Sequence, residues 1–428
     1  MTSTDNSNLF GYLFEQANAV QRTSEAFWKN EAVQRLITSG EKYDVSLIFQ
    51  FDSDSILGLA QHVGASIILF SPVGASVTSR YVGNPNLACY TCPFNLLAAD
   101  VRTFLGRLMT ATMNCFFYLE ELFIIHPFQQ NLLRKYLPES PALGEILRNV
   151  SLVLLNSHFS VESPRPHVPN MVQIGGFHTE DLGKLPVDIQ EYLDSAKEGA
   201  VLFSFGTNLK LAALDQDKLQ VILRGLGKIS PMKVLFKSDI QLVDVPENVI
   251  VRQWLPQSEV LAHPNVKLFI SHGGLGGTTE AVYHGVPMLG IPFFADQKAN
   301  ILTTSEAGYT VPLNYDEMTQ KSFDKALQEV LTDPKYTNNV KKYSSLLRNQ
   351  PIKPLDHAIW WVEHIIQYKG GNHLKNIGID LSCGRAYDPQ KAALKEAANN
   401  EKDDTVAIAL DYTQNQPLSL IPVQEVFY

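Results

Sequence analysis

The sequence predicts an α/β protein with two domains, each built on a parallel β-sheet. Its 428 residues exceed what one ordinary hydrophobic core accommodates, so two domains with extensions are expected. Short apolar runs alternate with longer helical patterns along the chain, which is typical of βαβ units. Apolar residues make up 45% of the chain and charged residues 18%, which is a globular composition.

The elements follow from hydrophobic period and length, because short apolar runs suit buried strands and longer periodic segments suit helices. The predicted strands are 44–49, 65–70, 152–156, 200–205, 233–237, 249–253, 266–270 and 286–291. The predicted helices lie near 17–38, 98–118, 214–226, 275–284, 297–307, 316–333, 335–348 and 354–368.

A stretch rich in proline and glycine, residues 163–188, divides the chain and predicts an interdomain connection. A first α/β domain is expected to end near Ser160 and a second to begin near Gly199. The second half alternates strands and helices fully, whereas the first half has few strand patterns. Beyond about Leu381 the periodicity fades, and a poorly ordered tail is predicted.

Charge and cysteine content argue against several functions. The formal net charge of -9, without a dense basic block, argues against nucleic acid as the main partner. A helix N-terminus can still bind one small anion. Cys89 and Cys92 have the spacing of redox and zinc sites, but no second pair accompanies them. Ordinary loop cysteines are therefore favoured, and no metal site is predicted.

No targeting or membrane-spanning segment is predicted. The N-terminus lacks the basic start and the continuous apolar stretch of a signal peptide. The most apolar segment, residues 109–125, is interrupted by Glu120 and Glu121, whereas a span needs roughly 20 largely uncharged residues.

The most informative feature is a strand that leads through a glycine-rich turn into a helix, at residues 266–285. Glycines let a backbone approach a ligand closely, and a helix start offers unpaired N–H groups to a phosphate. The turn lacks the GxGxxG pattern of dinucleotide sites and the GK[ST] ending of a P-loop. By itself it indicates a ligand cradle or a tight structural turn equally well.

Polar residues near this turn each allow two interpretations. His272 ends the strand, where open α/β sheets bind ligands, but it could also be a packed residue. Glu280 lies one turn into the helix, where it could accept both hydroxyls of a ribose or simply favour the helix dipole. Asp296 and Gln297 suit sugar hydroxyls, or could cap the next helix.

Trp254 and Gln257 precede the glycine-rich turn. The indole could stack on a base while Gln257 reads its edge; alternatively, Trp254 is a core residue. Asp52 and Asp54 imitate the DxD motif of metal-dependent enzymes, but helix capping is favoured for both.

Taken together, residues 254–300 resemble the signature of the UDP-glycosyltransferases. The segments YDVSLIFQFDSDSILGLA, GAVLFSFGTN and DHAIWWVEHIIQYKGGNHL look like the arthropod branch of that family. The resemblance covers about residues 8 to 381. It implies an α/β GT-B fold, in which two Rossmann-like domains face a cleft and the N-terminal domain is incomplete.

The resemblance also implies the residues of a donor site. Trp254 is expected to stack on uracil, Gln257 to contact the uridine and Glu280 to hold the ribose. His272 and Thr207 would lie near the diphosphate, and the acid–amide pair would hold the transferred sugar. The full set is Thr207, Trp254, Gln257, His272, Gly273, Gly274, Gly276, Gly277, Glu280, Asp296 and Gln297. At Gly276 and Gly277 the family commonly has Asn-Gly or Leu-Ser, so one side-chain phosphate contact is expected to be missing.

The implied reaction is an inverting, metal-independent transfer of a hexosyl group, glucose rather than glucuronate, from a UDP-sugar to a hydroxyl of a small lipophilic acceptor. No cofactor is expected beyond the UDP-sugar itself. The catalytic residues stay unassigned, because Phe49 occupies the position of the family's carboxylate and no residue matches its histidine. The alternatives are an inactive UDP-sugar-binding chain and, less favoured, a dinucleotide-dependent oxidoreductase.

The resemblance also suggests truncation at the N-terminus and divergence at the C-terminus. A full-length relative is expected on the lumenal side of the endoplasmic reticulum membrane, held there by segments that this chain lacks. The expected organisation is a partial acceptor-side domain at 1–162, a connection at 163–198, a UDP-sugar-binding domain at 199–350, a helix returning to the first domain at 351–381 and a divergent tail at 382–428.

Overall fold

The structure contains two parallel β-sheets, each covered by helices. The computed structural model describes residues 9–50, 53–75, 78–85, 101–180, 182–376, 379 and 408–410. The strands of both sheets are short and apolar. All six residues of one central strand, Val150–Leu155, and all five of another, Ala200–Ser204, are buried. Strands of a parallel sheet are covered on both faces, which explains their continuous apolar sequence.

The first sheet has five strands in the order β11-β1-β2-β3-β4. They are β1 (Val45–Phe49), β2 (Ser66–Ser71), β3 (Val150–Leu155), β4 (Met171–Gln173) and β11 (Ile408–Leu410). Each pair of neighbours is parallel.

The second sheet has six parallel strands in the order β10-β9-β8-β5-β6-β7. They are β5 (Ala200–Ser204), β6 (Lys233–Lys237), β7 (Val249–Arg252), β8 (Val266–Ser271), β9 (Met288–Gly290) and β10 (Thr310–Pro312). This is the strand order of a Rossmann sheet, and the direction of winding reverses between β5 and β8. A ligand crevice is therefore expected at their carboxyl ends.

Helices connect the strands and cover the sheets. They are α1 (Leu9–Lys29), α2 (Glu31–Ser39), α3 (Leu57–His62), α4 (Phe104–Glu120), α5 (His126–Tyr136), α6 (Leu143–Leu147), α7 (Val187–Asp194), α8 (Gln216–Lys228), α9 (Gln257–Ala262), α10 (Leu275–His284), α11 (Gln297–Glu306), α12 (Gln320–Thr332), α13 (Pro334–Arg348) and α14 (Pro354–Gln367). Helix α14 packs on the first sheet, where Ala358, Val362 and Ile365 join the core formed with Val45 and Ile68.

The structure differs from the sequence-based element assignment in several places, and the short helices α3, α6, α7 and α9 were not predicted. The helix predicted over 17–38 is two helices, because the Asn30 side chain accepts a hydrogen bond from Ala32 N and starts α2. Strands β4 and β10 were not predicted, because three residues are too few to show a strand pattern of apolar residues. Residues 408–410 pair in parallel with the edge strand β1, and the other residues of the predicted tail lie outside the described ones. An unpaired strand edge binds an apolar segment readily.

The helix predicted over 98–118 is longer than expected. A π-helical turn, Glu121–Ile125, joins α4 to α5, so the helix runs from Phe104 to Tyr136. Of the described residues, this one helix is long and apolar enough to cross a membrane by length and composition. This test uses length and composition alone, so the prediction of no membrane-spanning segment stays a prediction. Glu121, which was counted as an interruption of the apolar segment, forms an ion pair with Arg80.

Asp54 is a buried ion-pair partner and does not cap a helix. Its side chain is 0% exposed, and Arg80 Nη2 lies 3.1 Å from Asp54 Oδ1. The Tyr81 hydroxyl donates to the same oxygen at 2.6 Å. The capping expectation is wrong for Asp54, because the short helix after Ser53 has no side-chain cap. Asp52, like Cys89 and Cys92, lies outside the described residues.

Replacing Arg80 with Met is expected to destabilise the fold by about 3 kcal/mol, because it leaves the Asp54 carboxyl buried without its cation. Burial raises the pKa of Asp54, and Arg80 opposes that rise. The variant's stability loss therefore grows as the pH rises, since the unpaired carboxyl must be charged or hold a proton. Urea unfolding of R80M at acidic and neutral pH measures this. An equal loss of stability in the D54N/R80M double variant would contradict the assignment of Asp54 as the buried partner of Arg80.

Candidate active site

The crevice lies where the loops after β5 and β8 meet, and the His272 ring fills the space between them. A Cβ atom added to Gly206 would lie 2.8 Å from His272 Cε1, and one added to Gly274 would lie 2.7 Å from Nε2. Only glycine fits at such distances, so both loops are shaped around this imidazole. His272 is therefore packed between the two loops and partly buried.

His272 is neutral at physiological pH. Burial, helped by the nearby charge of Lys237, lowers its pKa to about 4. Its Nδ1 atom is buried and has no hydrogen-bond partner among the described residues. Buried polar atoms are normally satisfied, so this nitrogen is an exception. The ring can donate or accept a hydrogen bond there but does not supply a positive charge.

The glycine turn positions the N-terminus of α10 at the crevice. Gly274 is the N-cap and has no side chain to satisfy the first amides of the helix. Asn300 links this turn to α11, since its Nδ2 donates to Gly273 O at 2.9 Å and to Asp296 Oδ2 at 2.6 Å. Asp296 is thereby held beside the helix start, and burial raises its pKa. The capping interpretation of Asp296 is wrong, because its side chain makes no cap hydrogen bond.

Glu280 and Gln257 form a second polar pair, one turn further along α10. Gln257 begins α9 and donates from Nε2 to Glu280 Oε2. A Cβ atom added to Gly277 would lie 3.1 Å from that nitrogen, so this glycine makes room for the pair. Burial raises the pKa of Glu280 to about 7, against the opposing effect of the Gln257 hydrogen bond. The carboxyl is therefore close to half ionised at neutral pH.

Trp254 and Gln297 have environments that the sequence did not reveal. Trp254 is 67% exposed in the loop between β7 and α9, so the core interpretation is wrong. Gln297 is 3% exposed, and its Oε1 accepts from the amides of Phe293 and Phe294 at 2.8 and 3.1 Å. It supports the turn in which Ala295 has a φ of 54°. A non-glycine residue in that region is strained, which is common at functional sites.

Thr207 and Gly276 complete the predicted set. Thr207 follows Gly206 in the loop after β5 and is exposed. Gly276 lies in the first turn of α10, and nothing approaches within 4 Å of a Cβ atom added there. This position therefore has room for a side chain, unlike Gly274 and Gly277.

Three polar residues at this site were missed from the sequence. Lys237 ends β6, and its charge affects both His272 and Glu280. His178 lies in the connection, with Nε2 4.0 Å from Glu280 Oε1. Asn300 follows Asp296 by one helical turn. Lys237 could have been found, since it stands at the carboxyl end of a predicted strand. His178 carried no local signal.

A small cavity lies between the start of the interdomain connection and the residues that were expected to hold the sugar. Its volume is about 30 Å³, and both Glu162 and Arg165 line it together with Asp296 and Asn300. Glu162 pairs with Arg165 at 3.0 Å. Across the part of the chain that the structure describes, no group of three or more His, Cys, Asp or Glu side chains could hold a metal ion.

The two Rossmann-like sheets and the polar crevice place the protein in the GT-B fold class. A solved structure of UDP-glucose: anthocyanidin 3-O-glucosyltransferase in complex with UDP has the same fold, with a TM-score of 0.53, 17% identity and coverage of 76% of each chain. The family model described as UDP-glucoronosyl and UDP-glucosyl transferase matches residues 9–385. The chain belongs to this family of transferases.

Relatives from insects and mammals agree with this membership. UDP-glucosyltransferase 2 of Dactylopius coccus is 33% identical over 346 residues, covering 80% of this chain and 67% of the relative. UDP-glycosyltransferase UGT5 of the same organism is 34% identical over 378 residues, with coverages of 86% and 71%. UDP-glucuronosyltransferase 2A3 of Homo sapiens is 29% identical over 386 residues, with coverages of 88% and 71%.

Two glycines of the same turn are expected to respond oppositely to replacement by alanine. Gly274→Ala forces a Cβ onto the His272 ring and should cost about 1–3 kcal/mol. Gly276→Ala meets open space in a helix and should stabilise the protein by about 0.5–1 kcal/mol. Urea unfolding of both variants measures this. Equal changes in stability for the two variants would show that the His272 ring does not pack against Gly274.

Proposed function

We propose that this protein binds a UDP-sugar at the β5–β8 crevice and belongs functionally to the hexosyltransferases. The observation that supports this most strongly is the convergence of His272, Glu280 and Asp296 around the N-terminus of α10. Glu280 suits the ribose, His272 and the uncapped amides of α10 suit the diphosphate, and Asp296 suits the sugar.

In the proposed pose, the uracil stacks on the exposed face of Trp254, with Gln257 at its edge. The ribose hydroxyls donate to Glu280. The diphosphate lies over the first turn of α10, where the helix dipole and backbone amides favour negative charge, and His272 contributes a hydrogen bond. The hexose faces Asp296, while Gln297 supports the turn from within. Thr207 lies on the diphosphate side of the loop after β5.

Electrostatics favour a neutral hexose over a uronate. The cavity beside Asp296 already contains the Glu162 carboxyl, and the one cation that lines it, Arg165, is engaged in an ion pair. Burial raises the pKa of both Glu162 and Asp296, and a carboxylate on the sugar would find no unpaired cation lining this cavity. Glucose is therefore the proposed donor sugar and glucuronate the alternative.

The proposed reaction is an inverting displacement. The oxygen of an acceptor hydroxyl attacks the anomeric carbon, the bond from that carbon to the UDP oxygen breaks, and the hydroxyl proton passes to a base. The amides of α10 stabilise the negative charge that develops on UDP. A small lipophilic alcohol or phenol is the proposed acceptor, and detoxification on the lumenal side of the endoplasmic reticulum is the proposed setting.

Catalytic competence depends on a general base, which the family resemblance does not assign to any residue of this chain. Phe49 ends β1 at the position where the family resemblance places a carboxylate. General base catalysis typically contributes about 10²–10⁴-fold, so transfer by this chain is expected to be slow. This observation favours a second candidate function, UDP-sugar binding without turnover.

Titration calorimetry and a transfer assay test the proposal. UDP is expected to bind and NAD is not, and His272→Ala should weaken UDP binding at least about tenfold while unfolding remains cooperative. Labelled UDP-glucose with a phenol panel should give slow or undetectable transfer. Binding of NAD without UDP would overturn the proposed ligand class. Rapid turnover would overturn the account of the missing base but not the donor site.

The affinity for UDP is expected to rise with pH. Ribose hydroxyls donate to an ionised carboxylate, and the pKa of Glu280 in the empty protein is about 7. A protonated Glu280 must release its proton on binding, so affinity should fall roughly tenfold per pH unit well below 7 and level off above it. Calorimetry of Glu280→Gln isolates this effect, because the UDP phosphate titrates equally in both proteins. Identical pH profiles would remove Glu280 from the ribose contact.

A further inference from the structure

Two histidine rings meet where α14 ends and the chain turns back on this helix. The Nε2 atoms of His364 and His373 lie 2.9 Å apart, and the ring planes make an angle of 62°. One ring donates a hydrogen bond and the other accepts it, so both Nε2 atoms face the same small volume. His373 is exposed to solvent and His364 is partly buried. Neither residue belongs to the donor site described above.

Helix α14 fixes the position of the first imidazole. Val362 and Ile365, on either side of His364 in the sequence, are buried in the core against the first sheet. The Trp360 ring, one turn earlier, stacks on the His364 ring with 5.1 Å between centroids and 23° between planes. This stacking limits the rotamers that His364 can adopt.

A tight turn fixes the position of the second imidazole. Lys369 has a φ of 50° and Gly370 a φ of 117°, so the chain reverses directly after the helix. A Cβ atom added to Gly371 would lie 2.3 Å from the carbonyl oxygen of Ser151, so the turn is packed onto β3 where only glycine fits. Leu374 then packs against the same core as α14.

The backbone, rather than the hydrogen bond, brings the two rings together. A hydrogen bond between side chains at the surface adds little to stability, because water competes for both partners. The helix and the turn are each attached to the first sheet by their own packing contacts. Two nitrogen ligands held in this way are preorganised, so an ion that binds both does not have to order them first.

The separation of the two nitrogens suits a transition metal ion. Imidazole nitrogens bind such ions at about 2.0–2.1 Å, so two of them lie about 2.9 Å apart in neighbouring square-planar positions and about 3.3 Å apart in a tetrahedral ion. The 2.9 Å between the Nε2 atoms matches the square-planar value. Rotation of each ring about its Cβ–Cγ bond aims both lone pairs at one ion. Among divalent first-row ions, Cu²⁺ favours this geometry and binds imidazole most tightly.

We propose that His364 and His373 bind a divalent transition metal ion, Cu²⁺ most tightly, through both Nε2 atoms. The ring that donates the hydrogen bond moves its proton from Nε2 to Nδ1, so a neutral pair releases no net proton when the ion binds. The site has two protein ligands, and water completes the coordination; no group of three or more such side chains exists among the described residues. The ion ties the turn to α14. The proposal does not rest on UDP binding.

Calorimetric titration of the full chain with Cu²⁺ tests this, after the cysteines have been alkylated so that no thiol competes. The tightest site should take one Cu²⁺ per chain. His364→Gln and His373→Gln should each weaken it at least about tenfold, because a bidentate site becomes a single ligand. The matched control is His62→Gln, which removes an exposed imidazole bonded to the Ile37 carbonyl on other helices. The control should bind Cu²⁺ like the wild type.

Two spectroscopic measurements locate the ion. Electron paramagnetic resonance of the Cu²⁺ form should show two coordinated nitrogens, and one in His373→Gln. Cu²⁺ should also quench indole fluorescence, and the quenching should be smaller in Trp360→Phe at unchanged affinity, because Trp360 stacks on a ligand. Near-ultraviolet circular dichroism without metal should be the same in all variants of the three histidines. Wild-type protein that takes up no Cu²⁺, or equal affinities in His364→Gln, His373→Gln and the wild type, would overturn the proposal.

Discussion

The close approach of two loops around one imidazole ring is the constraint on which the crevice depends. The turns that follow β5 and β8 come so near to His272 that neither Gly206 nor Gly274 has space for a side chain. This spacing fixes where α10 begins, and the helix start then determines where Asp296, Asn300 and Glu280 can meet. The Rossmann strand order supplies the position, because the winding reverses between these two strands.

Burial shifts the titratable groups of the crevice toward their neutral forms. Burial keeps His272 neutral, brings the pKa of Glu280 to about 7 and raises that of Asp296. It also lowers the pKa of Lys237. Isolated charges in such a site would be costly, so each group shifts toward its neutral form.

Much of the fold could be predicted from the sequence, because the central strands carry continuous apolar runs that only a covered parallel sheet explains. Strand β6 was predicted with the bounds that the structure shows, and α10 likewise. The glycine turn was recognisable because a strand, several glycines and a helix follow one another directly in the sequence. Short edge strands such as β10 lack a period and were missed. The Asn30 cap inside a continuous helical pattern was missed because capping depends on backbone geometry.

The site was only partly predictable, because several of its contacts join distant segments. His178 comes from the connection and reaches Glu280, and Asn300 of α11 donates to the carbonyl of Gly273. Gln297 was expected to face a sugar, yet its oxygen is engaged by backbone amides. Whether it also contacts the donor stays a prediction. Local patterns locate a crevice, whereas side-chain orientation depends on the tertiary structure.

Phe177 and His178 connect the two halves through adjacent residues. The Phe177 ring packs against Phe70 of the first sheet at 5.6 Å between centroids, while the His178 ring approaches Glu280 of the second half. If the halves separate, the histidine is drawn away and water reaches the carboxyl. Its acidity then returns toward that of a free glutamic acid. The burial of the Glu280 carboxyl, and with it its raised pKa, therefore depends on how closely the two halves pack.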